Sequence, residues 1–260
     1  MNGLLLLFGE AFREGKTQTR KRDSKKSILP QKNACESHTR FCKYLKDVHA
    51  ISMDVLIDTY DTIHESKLKS WYSNPLTYKS NKNLMGLKIV QDAVNTINKN
   101  YDFIFITRVD IFIKPYFYKI FNPDWNKLLF LCQEWKSFNC GLYKDTVTYP
   151  LVNTMFEFIP KSYFKVLNNV TVEHCAWQHY MKIFNLTALD MGYMIKDKHS
   201  GNTQLDFNPY YRIVGRPEHK IHHDKSKSNI SDYGKTKKIK CKESKSKHLY
   251  ITKDDKIVPI

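Results

Sequence analysis

Six short apolar runs, Leu4–Phe8, Met53–Ile57, Phe103–Ile106, Leu128–Leu131, Thr154–Ile159 and Leu189–Ile195, alternate with segments of helical spacing, and this restricts the fold more than any other feature. Strands that alternate with helices form βαβ units, and βαβ units build a mostly parallel sheet. The expected class is therefore α/β, a central sheet flanked by helices. Between the first two runs Ala34, His38, Phe41 and Leu45 share one helical face. Leu87, Val90, Val94 and Ile97 do so before the third, and Val172, Ala176, Tyr180 and Ile183 mark a later amphipathic helix. Pro115 fits the first turn of a short helix over 116–121, and Pro160 fits the opening of another over 161–167.

A chain of 260 residues fills one core with some decoration. Periodicity fades after Pro217, where Lys and Ser take over, so the expected organisation is a domain over 1–217 and a basic tail over 218–260, with Leu249–Ile251 as a late strand. No run approaches the ~18 apolar residues of a spanning helix, and Leu4–Phe8 lacks a preceding basic region, which predicts a soluble, cytoplasmic protein. The six cysteines include no Cys-x-x-Cys pair; Cys35 and Cys42 lie about 10 Å apart along a helix, too far to bridge. A formal charge of +16 points to anionic partners. Much of the excess sits in Arg13–Lys26 and Lys220–Lys256, read as a solvated loop and a tail. These flanks carry almost no base-stacking aromatics, which argues against specific nucleic-acid binding.

Candidate chemistry collects where strands end. Tyr101-Asp-Phe-Ile-Phe-Ile-Thr-Arg-Val-Asp110 runs an apolar strand into Arg108 and Asp110. Ligands bind outside the carboxyl ends of strands in α/β sheets, so Asp110 is placed to hold a divalent cation against a diphosphate. A structural Arg108–Asp110 ion pair is the alternative. After the first strand, Gly9 permits close backbone approach, Phe12 offers a face to a base and Arg13 suits phosphate. Asp58 and Tyr60 end the second strand at the same edge, where Asp58 serves a base, a ribose or a helix cap. Glu173 and His174 open a helix, and His199 lies in a polar loop that leads to Asp206–Tyr211.

Taken together, Leu7–Gly15, Gln31–His38, Tyr101–Asp110, Phe158–Lys161 and Asp206–Tyr211 make the chain resemble the glycosyltransferases of giant DNA viruses, of chlorella virus and mimivirus type. The resemblance spans about residues 3–216. It implies a GT-A, Rossmann-like fold, a nucleotide-sugar donor, usually a uridine diphosphate sugar, and transfer to a glycan or glycoprotein acceptor, in a host cytoplasm if the chain is viral. It also implies manganese or magnesium on an Asp-x-Asp-like element. Carried over, it assigns the nucleotide loop to Gly9, Glu10, Phe12 and Arg13, and the metal element to Arg108-Val109-Asp110.

The chain departs from that pattern at Arg108, which stands where the first Asp belongs, and Asn153 and Cys175 occupy places that related sequences fill with an acid. Either the metal is then held largely by phosphates and His199, the second expected ligand, or it is dispensable; Glu173 and His174 are the expected bases for the acceptor hydroxyl. The inverting route needs only one such base. The alternatives are an inactive transferase fold kept as an interaction module and a basic nucleic-acid-binding protein.

Overall fold

The computed structural model describes residues 1–15, 21–72, 76–81, 101–121, 123–131, 156–164, 191–194, 210–214, 249–251 and 257–259. The chain divides into two compact units, Met1–Pro217 and Glu218–Ile260. The first begins with β1 (Asn2–Gly9), followed by a small hairpin of β2 (Arg13–Glu14) and β3 (Lys21–Arg22). Next come α1 (Ile28–His49), β4 (Ser52–Tyr60), α2 (Glu65–Ser70) and β5 (Leu76–Asn81). Then follow β6 (Phe103–Arg108), β7 (Ile111–Ile113), α3 (Pro115–Ile120), β8 (Leu128–Phe130), β9 (Phe156–Pro160), β10 (Met191–Tyr193) and β11 (Tyr211–Ile213). In the second unit β12 (Leu249–Ile251) and β13 (Ile257–Pro259) pair antiparallel.

Seven strands form the central sheet in the order β10-β8-β9-β6-β1-β4-β5. Every neighbouring pair is parallel except those made by β9, which runs against both β6 and β8. The expected α/β class with a mostly parallel sheet is what the chain adopts. From β1 the chain winds outward through β4 to β5, then crosses back to β6 on the other side of β1. The strand order therefore reverses between β1 and β6, and the crevice at their carboxyl ends is the topological switch point.

The apolar runs became strands because they are buried on both faces, as parallel sheets require. Leu5, Leu6 and Leu7 in β1 and Phe105 in β6 are fully buried. Helix α1 lays Ala34, Phe41 and Leu45 inward, and Phe41 meets the rings of Phe105, Phe117, Tyr118 and Phe121. Ala50, in the left-handed conformation, ends α1, and its N–H reaches the Leu45 carbonyl. Cys35 and Cys42 are free and buried on α1, and burial pushes their thiols up to about 11 and about 12.

Three features depart from the sequence reading. Strand formation resumes at once after Asp110, because Ile111–Ile113 pairs antiparallel with Tyr211–Ile213 in a separate two-stranded sheet. Pro160 closes β9 opposite Phe103, and the residues described after it, 161–164, form a 3-10 turn, the rest of the expected helix over 161–167 lying outside the described residues. The Arg13–Lys26 flank is in part the β2–β3 hairpin, with Arg13 buried, so that end of it is not a solvated loop. The helical stripes over 87–97 and 172–183 lie outside the described residues.

Packing at Gly3 is tight enough to test. A Cβ there would lie 2.2 Å from Phe103 Cζ and 2.5 Å from Met53 Sδ. Overpacking of this kind costs about 1–3 kcal/mol. Gly3→Ala is therefore expected to lower the urea midpoint with an unchanged slope, and an equal or higher midpoint would show that the β1–β6 contact has room.

Candidate functional site

The loop after β1 is held in place by hydrogen bonds from three distant elements. Gly9 leaves the strand at φ +101, a conformation glycine adopts without strain, and a Cβ there would meet no heavy atom of the described residues within 4 Å. Beneath it the Thr59 hydroxyl donates to the Gly9 carbonyl at 2.7 Å. Phe12 sits at φ 52, and its carbonyl accepts from the Ser27 hydroxyl at 2.9 Å and the Asp23 N–H at 3.0 Å.

Gln31 joins this loop to the end of β6. Its Oε1 accepts from the Phe12 N–H at 3.1 Å and its Nε2 donates to the Val109 carbonyl at 2.8 Å. The side chain is buried, so each bond satisfies a backbone group that water does not reach. Gln31→Leu is expected to cost about 2–6 kcal/mol, since two buried polar groups lose their partner at about 1–3 kcal/mol each. Chemical denaturation measures this, and a loss under 1 kcal/mol would mean that water replaces the amide.

The expectation that Phe12 presents a face to a base is corrected here. Its ring is fully buried and packs edge-on against His64, with centroids 4.9 Å apart, and against Trp71 at 5.7 Å. The left-handed turn that frees Gly9 drives the Phe12 side chain into the core, where it anchors the loop. Glu10 and Arg13 are likewise largely buried. Glu10 pairs with Arg22 at 2.6 Å, and the Arg22 guanidinium lies 5.3 Å from the centre of the Tyr60 ring. Asp58 is fully buried at the end of β4, level with Phe8 of β1.

Across the crevice Arg108 ends β6 beside Phe8. Its Nε and Nη2 donate to the two carboxylate oxygens of Asp110 at 2.7 and 2.6 Å, a bidentate pair. Asp110 is 1% exposed and the Arg108 side chain 21%. Burial alone pulls the guanidinium down, but Asp110, by charge and hydrogen bond, with Glu10 and Tyr211 behind it, raises it above its ordinary value. Val109 and Asp110 are fixed by main-chain bonds, from Val109 N–H to the Phe8 carbonyl and from Val214 N–H to the Asp110 carbonyl, both 2.8 Å.

This arrangement bears directly on the expected cation. Hard divalent ions need several oxygen ligands, and both oxygens of Asp110 already receive guanidinium protons. Among the described residues no group of three His, Cys, Asp or Glu side chains could hold a metal. The described half of the site therefore does not fit manganese or magnesium as it stands. His199, the second expected ligand, lies outside the described residues, as do Glu173, His174, Asn153 and Cys175. Gly9, Glu10, Asp58, Tyr60, Arg108 and Asp110 are the expected residues that the fold gathers at one sheet edge.

No family model and no curated protein matches the chain. Among solved structures it is similar to the bifunctional IspDF of Campylobacter jejuni, with a TM-score of 0.49 and 10% identity, over 76% of this chain and 50% of that one. It thus spans half the length of that protein. A 4-diphosphocytidyl-2C-methyl-D-erythritol synthase from Anaerococcus prevotii gives a TM-score of 0.46 at 11% identity, over 75% of this chain and 90% of that one. A Drosophila beta-1,4-galactosyltransferase 7 in complex with manganese, UDP-Gal and xylobiose gives 0.42 at 10% identity, over 82% and 71%. Likeness this distant carries no inference about activity, which rests on the residues themselves.

Proposed function

We propose that this chain is a GT-A type glycosyltransferase that moves a sugar from a nucleotide-sugar donor, a uridine diphosphate sugar, to a hydroxyl of a glycan or glycoprotein, by an inverting route. The supporting observation is the switch point. Gly9, at positive φ, directly follows the residue that lies level with Arg108 at the end of the neighbouring strand, in the crevice where α/β sheets bind nucleotides. Backbone at φ +101 with no side chain of its own admits a phosphate closely, and Arg108 supplies the charge such a group seeks.

Transfer breaks the bond between the sugar and the diphosphate, so negative charge grows on the leaving oxygen and positive charge on the ring. A positioned guanidinium stabilises the first without reorganising. The acceptor hydroxyl must lose its proton to a base, for which Glu173 and His174 are the candidates. In this reading the catalytic domain is residues 1–217 and the basic segment 218–260 is an appendage. Among the described residues no helix is long and apolar enough to cross a membrane.

A second reading, an inactive fold retained for interaction, draws on the same Arg108–Asp110 pair, since it fills the place of a metal element. A screen of nucleotide sugars by thermal shift, followed by donor hydrolysis with the best of them, separates the two. A rise in Tm and turnover for one donor supports the transferase; a chain that no nucleotide or nucleotide sugar stabilises is the inactive fold.

A further inference from the structure

We infer that Arg108 takes the place of the divalent cation at this switch point, so that the pyrophosphate of the donor is received by a guanidinium locked onto Asp110 and needs no metal there. This rests on the reading of the chain as a nucleotide-sugar enzyme. Three features carry it.

The first is geometry. Arg108 is level with Phe8, one residue before the backbone of Gly9, so a phosphate approaching that backbone comes beside the guanidinium. The second is the hydrogen-bond inventory. A guanidinium has five N–H donors. Asp110 takes two of them, leaving three, and Nη1 makes no hydrogen bond among the described residues. The carboxylate is 1% exposed and the arginine side chain 21%, so Asp110 holds the guanidinium from the more buried side. A planar fork fixed on one edge is preorganised for phosphate oxygens on the other.

The third is charge. Two carboxylates holding a divalent ion are formally neutral as a unit, and so are one arginine and one aspartate. Replacing the first acid by Arg108 therefore removes a carboxylate and a cation together, and presents a diphosphate with a comparable balance. Glu10, which reinforces the charge on Arg108, is itself paired with Arg22, so it adds no unmatched negative charge near the phosphates.

Titration calorimetry of the full chain with uridine diphosphate, in parallel with EDTA and with manganese chloride, tests this. The expected result is a Kd that agrees within about threefold between the two conditions, and a loss of about tenfold or more in Arg108→Lys, which cannot hold carboxylate and phosphate on one planar fork. In Arg108→Asp, which restores the second acid, binding is expected only with manganese. Binding by the unaltered chain that disappears on chelation would overturn the inference and leave the transferase reading standing. Absence of binding in both conditions would overturn both. Since the decisive comparison uses the unaltered chain, an arginine variant that fails to fold does not shield the inference.

Discussion

Arg108→Ala is expected to destabilise the chain by about 3–5 kcal/mol, the cost of leaving a buried charge without its partner. Asp110 is 1% exposed and takes two short hydrogen bonds from this one side chain. The fold cannot readily move it to water. Its carbonyl is tied to Val214, the residue before it to Phe8, and β7 begins at the next position. Removing both charges is a different experiment. Replacing a buried pair by apolar groups of similar volume is often neutral, so Arg108→Met combined with Asp110→Leu is expected to recover most of the loss. Urea unfolding of the unaltered chain, Arg108→Met, Asp110→Leu and the double variant gives the coupling directly. A loss below 1 kcal/mol in Arg108→Ala would mean that Asp110 is hydrated, and would remove the support for a locked guanidinium.

Strand positions were legible because a doubly covered sheet demands uninterrupted apolar runs, and Leu4–Leu7 and Phe103–Ile106 have no other use. The edge strand β5, Leu76–Asn81, with Lys79 and Ser80 in it, has no such signature and was not foreseen. Nor was β7, whose partner lies about a hundred residues away in sequence and gives no local sign. At the site, the residues at strand ends were found by position, but their orientations were not. Phe12 looked like a loop aromatic open to a ligand, while His64 and Trp71, which enclose it, come from beyond β4.

Gln31 carries a physical signal in the sequence beyond its place in the resemblance. It continues the stripe of Ala34, His38, Phe41 and Leu45 one turn toward the helix start, and a polar side chain on a buried stripe needs a partner. That partner proved to be the backbone on both sides of the switch point. His38 on the same stripe follows the same rule, sharing a hydrogen bond of 2.9 Å between Nδ1 and the Tyr72 hydroxyl.

Stability is expected to fall steeply in mild acid because of that histidine. His38 is fully buried, and burial lowers it from 6.5 to about 3, outweighing the Ile111 backbone and the Asp110 charge, which act in the opposite direction. A lowered basic group binds its proton in the unfolded chain first. Between pH 6.5 and about 3 the unfolded state therefore carries more protons, and stability rises with pH at up to about 1.4 kcal/mol per unit. The contribution is complete above pH 6.5 and is lost as the pH falls toward 3, with about 2–3 kcal/mol gone by pH 4.5. Carboxylates add their own acid dependence, so the measurement is a difference: urea unfolding of the unaltered chain and of His38→Gln at several pH values between 7 and 4.5. The variant is expected to start less stable and to show a shallower slope by about one proton. Equal slopes would mean that His38 is protonated in the folded chain or reached by water.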